Sequence, residues 1–166
     1  MREAADYIRR ETRLSMAINA VLSLVFYLLF FGLSGPVPVG GLGGFAFDFI
    51  PQSFAITLMS VLVPGLLTAR KLATGKLTPQ PGKSGLPRSL WLRGLLMAAL
   101  AAFVGAAGGS ILVLAYGSAS IAWPAGAAIK IVYGLLLARI VTPVGLIAAL
   151  RRGVAAPHHR PQALKG

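Results

Sequence analysis

Four long apolar runs constrain this chain more than any other feature. They lie at about 14–33 ("LSMAINAVLSLVFYLLFFGL"), 49–69, 92–116 and 123–150. Each has the roughly 20 residues that cross a hydrocarbon core of about 30 Å as an α-helix. None alternates in the way a membrane barrel strand of about 10 residues must. The sequence therefore predicts an all-α integral membrane protein with four transmembrane helices. Composition agrees, at 56% hydrophobic and 12% charged residues, against a charged share of about 25% in soluble domains. The 166 residues suffice for one small bundle. The first run exceeds the 7–15 residues of an export-signal core and no small-residue cleavage motif follows, so it is read as retained. With no cysteine present, disulfides argue for neither compartment.

The net charge is +12, an excess that can mark nucleic-acid binding. Its distribution points elsewhere. Arg2, Arg9, Arg10 and Arg13 precede the first run. Arg70, Lys71, Lys76, Lys83, Arg88 and Arg93 lie in or beside the second connection, and Arg151, Arg152, Arg160 and Lys165 follow the fourth run. The first and third connections, "SGPVPVGGLGGFAFD" and "GSASIA", carry no Lys or Arg. This is the positive-inside pattern, and it places both termini and the central loop in the cytoplasm of a bacterial inner (plasma) membrane. The cations are expected to meet anionic lipid head groups. No nucleic-acid partner is expected.

The chain divides into a polar segment 1–13, a first hairpin 14–69, a basic linker 70–91, a second hairpin 92–150 and a basic tail 151–166. Asp6 and Arg10 stand at helical i,i+4 spacing, and Tyr7, Ile8 and Leu14 fit a helix lying on the membrane surface or extending into solvent. The Gly-rich first connection has no Lys-Ser/Thr after it and is read as a flexible interfacial loop rather than a phosphate cradle. Phe45, Phe47 and Phe49 alternate around Asp48 there. The two hairpins share phrases: "FIP" and "AWP" open their second helices, and "PGLLTARK" and "PVGLIAALRR" close them. Parallel repeats related by an axis along the membrane normal would produce such a likeness.

Groups for catalysis are scarce. Of the four carboxylates, Glu3, Asp6 and Glu11 precede the first run, so no acid pair lies within the membrane. His158 and His159 are neighbours in a tail, a poor metal set without further ligands. The serines lack a nearby base for nucleophilic attack. No enzyme, metal or cofactor is expected.

Helix packing is written more clearly. Gly94, Ala98, Ala101, Gly105 and Gly109 in the third helix, and Gly126, Gly134 and Ala138 in the fourth, form small-residue seams that let helices approach closely. Pro64 and Pro143 are candidate kinks. Asn19, Ser23, Thr57, Ser60 and Thr142 are candidates for interhelical hydrogen bonds or a polar pathway. Lys130 sits between Gly126 and Gly134 on one helix row, about 9 Å below Pro124, and its natural partner is Asp48. Arg139, nine residues on, turns to the opposite face and has no acid at its depth. Lys130, Arg139 and Asp48 are thus the candidate intramembrane charge site. The leading expectation is a non-enzymatic protein acting through helix contacts, as a homo-oligomer or a subunit of another membrane protein. A passive channel or transporter for an anionic solute or lipid is the alternative.

Overall fold

A computed structural model describes residues 2–117 and 119–151; the tail beyond, with His158 and His159, lies outside the described residues. Four helices form the body: α1 (Arg2–Phe31), α2 (Phe49–Ala73), α3 (Leu90–Tyr116) and α4 (Trp123–Leu150). All four are long and apolar enough to cross a bilayer, so the chain is built as a multi-pass integral membrane protein. Two short strands, β1 (Val37–Pro38) and β2 (Ser120–Ile121), pair antiparallel with Val37 opposite Ile121.

Helix α1 starts at Arg2 and runs unbroken through residue 14. With no Gly or Pro before Gly32, nothing halts it, and the polar opening is simply its first turns. Asp6 pairs with Arg9 at 2.6 Å rather than with Arg10. Pro51 and Pro124 sit in the first turns of α2 and α4, where the missing N–H costs nothing. Both α2 and α4 continue through their internal prolines, Pro64 and Pro143. Ser89 caps α3 by accepting from the Leu92 N–H.

The extensive interfaces are α2 on α3, α1 on α4, and α2 on α4; the sequential pairs α1–α2 and α3–α4 touch little. The spatial order is therefore α1–α4–α2–α3, and the two sequence hairpins are not packing units. Exchanging α1 with α3 and α2 with α4 turns one large interface into the other. Small residues explain the α2–α3 contact. A Cβ at Gly105 would stand 2.6 Å from the Phe49 carbonyl oxygen, and one at Gly94 would stand 3.0 Å from Leu62 Cδ2. Gly109 lies against the Ala46 carbonyl, and Ala98 and Ala101 are buried in the same seam.

The first connection is folded, contrary to the flexible loop expected of its glycines. Phe45 N–H bonds to Pro38 O at 2.9 Å, Ala46 N–H to Val39 O at 3.0 Å, and Val39 N–H to Ala119 O at 3.1 Å. Phe45 and Phe49 are buried in an aromatic cluster with Tyr27, Phe31, Trp123 and Tyr133; Phe47 is exposed. Burying these rings offsets the entropy of ordering the loop. The central linker is also tied down: Gln80 N–H donates to Leu150 O at 3.0 Å.

Candidate functional site: a buried polar column and an exposed arginine

Helix α4 presents Gly126, Lys130, Gly134, Ala138 and Thr142 inward, all buried. Spacing by four keeps them on one row. The glycines make room for polar side chains of α1: a Cβ at Gly126 would overlap the Tyr27 hydroxyl, and one at Gly134 the Ser23 hydroxyl. Between them, Lys130 is fully buried. Its Nζ lies 3.0 Å from Asp48 Oδ2, 3.6 Å from the centre of the Phe49 ring and 4.7 Å from that of Phe45. The contact with Asp48 is an ion pair, not a well-angled hydrogen bond. Asp48 holds the N-cap position of α2 but makes no capping bond, because its carboxylate faces the ammonium. One carboxylate and two ring faces thus compensate a charge that burial would otherwise leave bare.

Below this cage runs a polar column. Tyr7, Glu11, Ser15, Asn19, Ser23 and Tyr27 stand four apart along α1, on a row that winds slowly round the helix. Tyr27 Oη donates to Trp123 O at 2.9 Å. Gln52 Nε2 donates to Ser23 Oγ at 3.1 Å and to Lys130 O at 3.2 Å. Asn19 Nδ2 donates to Ser15 O at 2.8 Å and Ser60 Oγ at 2.9 Å, and Thr142 Oγ1 donates to Ser15 Oγ at 2.9 Å. Carbonyl acceptors fix both amide orientations, because only the NH2 can face them. The Asn19 Oδ1, Gln52 Oε1 and Thr57 Oγ1 atoms are left buried without partners. At the other end of the bundle, Tyr7 and Thr68 hydroxyls meet at 3.0 Å and Lys71 pairs with Glu11 at 3.2 Å. The column therefore links α1, α2 and α4 along most of their length. It bridges the gap that α1 and α2 leave between their backbones.

Arg139 lies outside this system. It is exposed on α4, on the stripe formed by Ile129, Val132, Leu136, Ile140 and Val144, every one an exposed apolar residue. No carboxylate among the described residues pairs with it. Lys130 and Asp48 are thus brought together, and Arg139 is kept apart from both. The sequence reading missed Gln52, Ser15, Tyr27, Ser53, Thr68 and the Glu11–Lys71 pair. The four-residue row on α1 was the available signal. Ser53 also meets the Tyr133 hydroxyl at 2.6 Å and donates to the Phe49 carbonyl.

No family model, no characterised protein and no solved structure matches this chain. Among the described residues no three His, Cys, Asp or Glu side chains gather to hold a metal.

Proposed function

We propose that this protein is a non-enzymatic accessory subunit, held to a different membrane protein through the exposed face of α4. Arg139 carries the reading. An arginine facing lipid near the bilayer centre costs at least about 2.5–3.5 kcal/mol on insertion scales. The stripe around it is otherwise apolar, so a partner helix that covers the stripe and offers an acid would recover that cost.

A second copy of the chain cannot supply the acid. Thr142 and Ser60 both reach Ser15, so Arg139, about one turn from Thr142, lies level with Ile18 of α1 and Thr57 of α2. Asp6 is twelve residues from Ile18, about 18 Å along the helix, and Asp48 is nine from Thr57, about 14 Å. Glu11 and Asp48 already have lysine partners. Copies inserted with the same sidedness thus face Arg139 with no carboxylate. The partner is a different chain with Asp or Glu inside a span. Anion conduction would need Lys130 and Arg139 on a common surface, and they occupy opposite faces of α4.

The cationic ends of α1 and α2 and the start of α3 support an orientation with that end, and both termini, in the cytoplasm of a plasma membrane. The exchange relation between the α1–α4 and α3–α2 interfaces supports two parallel repeats about an axis between α2 and α4.

The probe is a poly-leucine transmembrane helix with one central Glu, compared with its Gln counterpart in vesicles of zwitterionic lipid. Energy transfer from labelled protein is expected to be several-fold stronger to the Glu helix. Arg139→Leu should abolish the difference and Arg139→Lys retain part of it. Equal transfer to both helices overturns the reading. Self-transfer between protein copies that disappears in Arg139→Leu would replace it with a homo-oligomer.

A further inference from the structure

Independently of the α4 face, we infer that the crevice between α1 and α2 binds one anionic phospholipid, its phosphate on arginines at the mouth and one acyl chain along the groove. The crevice exists because α1 and α2 both lean on α4 and touch each other little, with polar pairs such as Asn19–Ser60 and Ser23–Gln52 reaching between them. It encloses about 140 Å³. Leu14, Ile18 and Leu22 form one wall and Met59, Val63 and Leu67 the other, with Asn19 and Pro64 behind. Arg10 is eight residues from Ile18, the level of Arg139 near the bilayer centre, and that is about 12 Å at 1.5 Å per residue, close to the roughly 15 Å of hydrocarbon in one leaflet. Apolar on both walls, the groove suits a single flexible chain.

Charge changes at one end of the same rows. Arg10 precedes Leu14 on α1 by one turn, and Arg70 and Lys71 follow Leu67 on α2; both arginines are exposed. The one carboxylate at this mouth, Glu11, is neutralised by Lys71 at 3.2 Å. Arg10 also belongs to a surface cradle with Arg9 and Arg13, where Asp6 engages only Arg9. Cations therefore end the apolar groove, which is the polarity of a lipid with an anionic head group. Free phosphate would find the arginines but gain nothing from the walls.

Native mass spectrometry of the purified protein tests this, with phosphatidylglycerol, phosphatidylcholine and inorganic phosphate as probes. One phosphatidylglycerol should be retained per chain, at least about fivefold in preference to phosphatidylcholine. Arg10→Gln with Arg70→Gln, both at exposed positions, should remove the preference. Ile18→Trp or Val63→Trp, each filling the groove from one wall, should reduce retention of both lipids about fivefold. Equal retention of the two lipids by the native protein overturns the site. So does retention unaffected by both tryptophans, which would mean a surface head-group contact only. Phosphate that competes fully with the lipid overturns it as well, by showing that the walls contribute nothing.

Discussion

At the scale of single residues, the Asp48–Lys130 pair is the most exacting feature. Removing one partner of a buried ion pair typically costs about 3–5 kcal/mol, while replacing both by apolar groups can be close to neutral. Lys130→Met is therefore expected to destabilise by that amount, because Asp48 would be left against Phe45 and Phe49 without a cation. Asp48→Leu combined with Lys130→Met should recover most of the loss. Denaturant unfolding in detergent across this double-mutant cycle measures it, and additive losses would mean that the pair is not coupled. The pairing was legible because Asp48 is the sole acid beyond the first helix and Lys130 lies on the small-residue row. The two aromatic faces were not legible. They depend on how the connection before α2 folds, and its glycines read as a loop without structure.

At the scale of elements, the small-residue seams decide which helices meet. Gly105 and Gly108 are separated by less than one turn of α3 yet differ sharply. A Cβ at Gly105 would press on the Phe49 carbonyl, whereas one at Gly108 meets nothing within 4 Å. Gly105→Ala should destabilise by about 1–3 kcal/mol, as overpacking does. Gly108→Ala should be neutral or stabilising by up to about 1 kcal/mol, since alanine loses less entropy in a helix. Parallel unfolding curves decide between them. The glycines of α3 are visible as a pattern, but a pattern does not name the partner helix. On α1 the partner surface is polar instead of small, which is why spacing of apolar and small residues overlooked Ser15 and Tyr27, and Gln52 facing α1 from α2.

At the scale of the whole molecule, order and orientation separate. The spatial order α1–α4–α2–α3 places α4 and α2 centrally, so perturbing either should loosen two of the three extensive interfaces. Orientation is directly testable because the chain has no cysteine. A single cysteine replacing Leu42, which is 93% exposed, should be labelled from the periplasm of intact cells by an impermeant maleimide. One replacing Lys76, in the basic connection, should be labelled only after lysis. The reverse pattern would invert the proposed topology, though not the fold.

The sequence by itself determined that four helices form and that they suit a bilayer. Length and apolarity are local properties, and of the two structures that satisfy the backbone in lipid, helices and closed barrels, runs without alternation fit only the helix. It also determined the small faces of α3 and α4 and the opposite directions of Lys130 and Arg139 on α4, because helical periodicity converts spacing directly into direction. Only the tertiary structure decided which helices pair, that the first connection closes over Lys130 as an aromatic cage, and that α1 and α2 stand apart. Those outcomes depend on contacts between residues distant in sequence. A glycine row is equally complementary to any helix that can approach it, and the choice rests on how all the surfaces fit at once.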